Sequence, residues 1–241
     1  IDRLAEEGVR FDHCYVSNSI CTPSRAAILT GTHNHVNGVT TLDTPIDNRL
    51  PNVAKHLRAA GYQTGMVGKW HLGEGPAHEP TGFDYWSVVP GQGDYHQPRF
   101  IDADGMRREP GYVTDVITDK CLDWLDRRDP ERPFFMMCHH KAPHRPWDPK
   151  PEHRHLYQED VPAPPTFDDD YADRASPAAA ARMRIAEDLW YRDLDIVQLP
   201  EAPGDMSGGS QQYLPHPEDP SGLRLRCAVT GEVFTFSDQA A

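Results

Sequence analysis

Six residues in a row, Pro133-Phe134-Phe135-Met136-Met137-Cys138, are apolar whichever way an extended chain turns them. Strand side chains alternate between two faces, so a run apolar in both parities needs cover on both sides, as in a central strand of a parallel sheet. A helical pattern precedes it. Val113, Val116, Ile117, Cys121, Trp124 and Leu125 recur at the 3.6 period from about Val113 to Arg128, and Pro130 and Pro133 end the run. Upstream the order is coarse alternation of the two periods: a strand over 9 to 16, a helix over 22 to 30, a helix over 52 to 60 and a strand over 62 to 67. An irregular stretch continues to about residue 111. The pattern predicts an α/β fold with a mostly parallel central sheet flanked by helices.

The most specific local signal is Cys21-Thr22-Pro23-Ser24-Arg25, running on to Gly31. Thr22 reads as an N-cap, Pro23 as the first helical residue and Gly31 as a left-handed stop. Cys21 then stands at a helix N-terminus, where unpaired N–H groups and the dipole gather, with Arg25 one turn inside. A free Cys beside an ordinary helix start is more often buried and inert. A second segment, Gly61 to Gly73, reads as a helix-ending Gly, a short strand and a turn carrying Lys69 and His71. Residues two apart in extended chain point the same way, so both reach one pocket at the C-terminal end of a strand.

These two segments resemble the signature motifs of the type I, formylglycine-dependent sulfatases of the alkaline phosphatase superfamily. Cys-x-Pro-Ser-Arg-x-x-x-Leu-Thr-Gly is matched by residues 21 to 31, and Gly-Tyr-x-Thr with Gly-Lys-Trp-His-Leu-Gly by residues 61 to 73. The resemblance runs from Ile1 to about Val197. It implies an alkaline-phosphatase-like sandwich, incomplete at both ends, with 1–197 a partial catalytic domain and 198–241 an unassigned tail. The stretches His33 to Asn37, Thr41 to Pro45, Phe83 to Trp86 and Pro90 to Tyr95 are similar to bacterial N-acetylglucosamine-6-sulfatases. A sulfated carbohydrate is therefore expected ahead of an aryl or choline sulfate, with His35 and Lys141 binding substrate.

What the resemblance implies chemically is carried over residue by residue. Cys21 is expected to be oxidised to formylglycine by a formylglycine-generating enzyme, and its hydrate attacks sulfur while touching calcium. Arg25 and Lys69 stabilise charge, His144 protonates the leaving alcohol, and His71 takes a proton to regenerate the aldehyde. Before the resemblance is applied, His139-His140-Lys141 and His144 fit metal ligands, a pocket wall or an exposed loop equally well. The family's calcium site also takes two neighbouring Asp from a first strand, expected upstream of Ile1, and an Asp followed by Asn or His on a later strand, a pair not found on any later strand read here. Only Cys21 carries over as a metal contact, and calcium needs six or more oxygens.

Charge and composition exclude more than they assign. A formal net charge of −13 argues against a nucleic-acid binder, so an anionic substrate must be drawn by a local field, for which Arg25, Lys69, His71, Lys141 and His144 are the candidates. No apolar run approaches the ~18 residues of a membrane helix. The chain opens on Ile1, inside an apparent amphipathic helix of Ile1, Leu4 and Ala5 closed by Gly8, so it looks truncated and a signal segment would lie upstream. A periplasmic or extracellular setting is implied by the resemblance alone. Five cysteines, at 14, 21, 121, 138 and 227, show neither a disulfide framework nor zinc spacing. Cys14, Cys121 and Cys138 read as packing residues, and Trp86 as a structural one rather than a stacking platform. Residues 148 to 182 read as a surface excursion in which Asp168-Asp169-Asp170 is a solvated run, and Val229 to Phe236 is briefly strand-like. Two other functions remain: a phosphonate or phosphodiester hydrolase of the same superfamily, and a catalytically incomplete chain that binds sulfated glycans.

Overall fold

The computed structural model describes residues 2–157, 159, 162–181, 196–198, 224–227 and 233–235. The chain divides into two compact units, 1–141 and 142–241. The sequence expectation placed a boundary after residue 197.

The first unit is built on a five-stranded sheet. Strands β1 (Gln63–Lys69), β2 (Tyr85–Val89), β3 (Arg99–Asp102), β4 (Gly105–Arg108) and β5 (Phe134–His139) lie in the order β4-β3-β2-β1-β5. β1 pairs in parallel with β2 and β5, while β2-β3-β4 are antiparallel. Among the described residues six helices accompany the strands: α1 (Asp2–Glu7), α2 (Cys21–Thr30), α3 (Asn34–Asn37), α4 (Val53–Ala59), α5 (Val113–Arg127) and, in the second unit, α6 (Ser176–Ala180). The core gathers Ala26 and Leu29 of α2, Ala54 of α4, Met66 of β1 and Val88 of β2 with Val39, Ile46, Trp70, Leu72 and Phe83. On α5 the buried residues are Val113, Ile117, Cys121 and Trp124, spaced as the 3.6 period requires.

β1 is an interior strand between β2 and β5, buried from Thr64 to Lys69. Its Gly68 is what lets β5 come close. With φ +101° and a Cβ position 2.0 Å from the His139 carbonyl oxygen, that site takes no other residue without displacing the neighbouring strand.

Several expectations need correction. Residues 9 to 16 form no strand and are exposed, because their alternation finds no strand to pair with, and Cys14 is exposed rather than packed. The N-cap of α2 is Ile20, with Cys21 first in the helix; Thr22 lies inside it, 2% exposed, its hydroxyl turned to another partner. The stretch to residue 111 is not irregular but holds β2, β3 and β4, all short, with Arg and Asp residues hiding the apolar signal in β3 and β4. β1 extends through Lys69. The apolar run 133 to 138 is an edge of the described sheet, with Phe134 and Cys138 exposed.

In the second unit Pro151–His153 form a 3-10 turn, and no described residue from 148 to 181 outside the masked positions is buried. Asp169 accepts from Arg174 and from the Tyr171 amide, as a solvated loop would. β6 (Ile196–Gln198), β7 (Arg224–Cys227) and β8 (Val233–Thr235) form an antiparallel sheet in that order. The rest of the tail, with most of the 229–236 segment, lies outside the described residues.

Candidate active site

The C-terminal end of β1 and the N-terminus of α2 meet, and the hydrogen bonds between them define the site. Arg25 Nη1 donates to the Lys69 carbonyl at 2.6 Å and to His139 Nδ1 at 3.1 Å. Thr22 Oγ1 and His71 Nδ1 share a hydrogen bond of 3.2 Å, with His71 at φ +55°. A non-glycine residue in the left-handed region is uncommon and is held there by its surroundings. Cys21, half-buried as the first residue of α2, lies within electrostatic range of both Arg25 and Lys69. Sequence order separates these groups by tens of residues, and the parallel β1 delivers them to one edge.

Two lysines are drawn inward. Lys69 is 3% exposed and its Nζ donates to Gln92 Oε1 at 2.5 Å. Lys141 is 4% exposed, its Nζ donating to the Gln92 carbonyl at 3.4 Å and standing 4.5 Å from the centre of the Tyr95 ring. Burial, offset by Cys21 and reinforced by the positive charges of Arg25 and Lys141, pulls Lys69 down to about 8. Burial also lowers Arg25, which stays charged. His139 is pushed down to about 4 by burial and then by Arg25, so it is a neutral acceptor that orients the guanidinium. Arg25 uses one nitrogen for these two contacts, which leaves Nη2 and Nε for an anion.

Of the residues singled out from sequence, Cys21, Arg25, Lys69, His71 and Lys141 all lie in the first unit around this edge. His35 is exposed on α3 and stacks on His33 at 5.8 Å, and it lines no part of the cavity described next. His144 belongs to the second unit, and its Nδ1 donates to the Arg145 carbonyl at 2.6 Å. A cavity of about 180 Å³ opens beside Thr22 and His71, with Asp43, Glu74, Trp70 and Trp86 in its walls. Trp86 is thus both a strand residue and part of that wall. Gln92 and His139 were assigned no role from sequence. The signal for Gln92 was its place in Pro90-Gly91-Gln92-Gly93, a turn at the C-terminal end of a strand, and for His139 its position directly after an apolar run.

The implied groups fare differently. Position 21 suits an aldehyde hydrate, since a helix N-terminus, Arg25 and Lys69 all favour negative charge there. Calcium does not fit the described residues. Arg25, Lys69 and Lys141 are cations, and among the described residues no group of three or more His, Cys, Asp or Glu can hold a metal ion.

Comparison with known proteins agrees with this geometry. The sulfatase family model matches residues 1–188. The N-acetylglucosamine-6-O-sulfatase of Bacteroides thetaiotaomicron is 45% identical over 203 residues, covering 83% of this chain and 36% of that protein. The N-acetylglucosamine-6-sulfatase of Homo sapiens is 33% identical over 180 residues, covering 64% of this chain and 32% of its own. The chain therefore spans about a third of the length of the curated relatives it matches. A solved structure of BT4656 in complex with its substrate D-glucosamine-2-N,6-O-disulfate superposes with a TM-score of 0.73 at 44% identity, over 80% of this chain and 39% of that one. The mixed sheet with flanking helices is accordingly the alkaline-phosphatase-like fold of the solved sulfatases. The chain belongs to the sulfatase family.

Proposed function

We propose that the protein carrying this chain hydrolyses the 6-O-sulfate ester of an N-acetylglucosamine or related glucosamine residue. The observation that carries the reading is the convergence of Cys21, Arg25, Lys69 and Lys141 on one edge of the sheet, three cations and a helix N-terminus around one modifiable thiol. The names and bound sugar of the relatives that match favour glucosamine over other sulfated compounds. When Cys21 is matured, formylglycine would supply, as its hydrate, a nucleophilic oxygen that a thiol lacks and a second hydroxyl that a serine lacks.

The chain's own residues do the rest. Arg25, through Nη2 and Nε, and Lys69 hold the sulfuryl oxygens and offset the negative charge that grows on them. Lys141 adds positive charge from beside Tyr95. His71, anchored at Nδ1 by Thr22, exchanges a proton at Nε2. His144, anchored at Nδ1 by a carbonyl, is the proton donor to the departing sugar hydroxyl through Nε2. The chain has no described helix long and apolar enough to cross a membrane.

The test is turnover after co-expression with a formylglycine-generating enzyme, comparing N-acetylglucosamine-6-sulfate with N-acetylglucosamine-6-phosphate. Sulfate release well ahead of phosphate release is expected. A preference for the phosphate ester moves the protein to the phosphodiester and phosphonate branch. Tight sulfated-glycan binding without turnover by fully matured protein leaves it a binding protein.

A further inference from the structure

Helix α5 and the sheet meet along a row of contacts that brings two cysteines together. The Trp124 ring stands edge-on to Phe134 with centroids 6.1 Å apart, and Trp124 and Met136 both press on Gly65. One helical turn earlier than Trp124 stands Cys121, and two residues beyond Met136 stands Cys138. One further turn back, Ile117 reaches Gly68 beside the His139 carbonyl. The two cysteines fill the intervening step, on elements running in opposite directions, so their side chains face each other across it, and Cys138 acts on the Cys121 thiol. Their settings differ: Cys121 is 6% exposed, whereas Cys138 is exposed.

We propose that Cys138 and Cys121 form an oxidisable pair, in which a small-molecule disulfide reacts at Cys138 and Cys121 then closes a disulfide between α5 and β5. The sequence had suggested packing residues; the structure makes one of them accessible and gives it a partner. Cys138 Sγ lies 3.7 Å from His140 Nε2, while His140 Nδ1 is buried without a hydrogen-bond partner. The tautomer that avoids a buried unpaired N–H carries its proton on Nε2 and presents it to Sγ. Burial, and then hydrogen bonding to Cys138, push Cys121 up to about 12, so Cys121 does not attack first.

With oxidised glutathione as the co-reactant the steps balance. The Cys138 thiolate attacks one sulfur, the glutathione S–S bond breaks, and one glutathione leaves as thiolate. Cys121 then gives up its proton and attacks Cys138 Sγ, a new S–S bond forms, and the second glutathione leaves. Two protein thiols are oxidised as one disulfide is reduced to two thiols. The high pKa of Cys121 makes the second step the slow one, so the mixed disulfide on Cys138 accumulates first.

The experiment is peptide mass spectrometry of the native protein incubated with oxidised glutathione and quenched with an alkylating agent over time. This readout is independent of sulfatase activity. Wild type should show a Cys138–glutathione adduct that gives way to a linked pair of peptides containing Cys121 and Cys138. Cys121→Ser should stop at the adduct, Cys138→Ser should leave Cys121 alkylatable, and His140→Gln should slow the first step by about tenfold. An adduct in wild type that never resolves, a link from Cys138 to a different cysteine, or an unreactive Cys138 would each overturn the proposal. So would a Cys121–Cys138 link that forms as fast in urea-unfolded protein.

Discussion

Lys69, donating to Gln92, shows how burial sets a charge. The ordinary lysine is charged well past pH 10, but Lys69, lowered to about 8 by burial, holds its charge only below that point. Stabilisation of an anion by Lys69 is therefore present at neutral pH and lost as pH rises through about 8, and the alkaline limb of kcat/KM is expected there. Gln92→Glu would place a carboxylate on Nζ, favour the charged form and move that limb to higher pH while lowering the plateau. A limb that stays in place in pH–rate profiles of the variant would show that Lys69 is not the group titrating. His139 gives a stability prediction of the opposite pH sense. Its folded value of about 4 lies below the usual 6.5, so between these the unfolded chain binds more protons and stability falls as pH drops. His139→Gln keeps an acceptor for Arg25 without titrating. Denaturant titrations at pH 7 and pH 4 should show its acid-side loss smaller than wild type's by on the order of 1–3 kcal/mol. Gln92 and His139 were illegible in the sequence for a plain reason: their partners lie 23 and 114 residues away, and only tertiary pairing brings them in. Cys21 and Arg25 were legible because a helix start is a local event.

The elements divide along the same line. α2, α4 and α5 were readable because caps, proline and the 3.6 period are written within one segment. The Gly31 stop appears as expected at φ +67°, its N–H donating to the Ala27 carbonyl. Strands are made by neighbours: 9–16 has the alternation and no partner, while β3 and β4 have charged residues and do pair. The run 133–138 is a strand paired in parallel with β1, and among the described residues it has a neighbour on that side only. Two glycines should separate these kinds of information by experiment. Gly68→Ala puts a methyl 2.0 Å from the His139 oxygen at positive φ and should cost more than about 3 kcal/mol or prevent folding. Gly31→Ala also sits at positive φ but meets open space, and should cost only about 1 kcal/mol. Equal losses in thermal melts would mean that the approach of β1 and β5 is not the constraint it is taken to be.

Across the whole molecule the site is a cationic interior in an acidic protein. The formal net charge is −13, yet Arg25, Lys69 and Lys141 share one edge of the sheet. Salt screens long-range repulsion from the surface more than contacts inside the site, with a Debye length of about 10 Å at 0.1 M. KM for a sulfated sugar is therefore expected to hold steady or fall as sodium chloride rises from about 0.02 to 0.2 M, the range over which exposed charges become screened. A steep rise would place the binding charges on the surface instead. The family was legible from two short motifs because their spacing fixes chemistry directly, whereas the cavity walls at Trp86 and Asp43 are brought together from separate segments that no spacing announces. The central claim is that residue 21, once matured, is the reacting centre within this cationic frame. Its most direct test is the rate of sulfate release from N-acetylglucosamine-6-sulfate by protein whose conversion at position 21 is measured on the same sample. The account predicts release that scales with the converted fraction, disappears in Cys21→Ala and falls about 10²–10³-fold in Lys69→Ala. Release that is indifferent to conversion, or absent from fully converted protein, would contradict it.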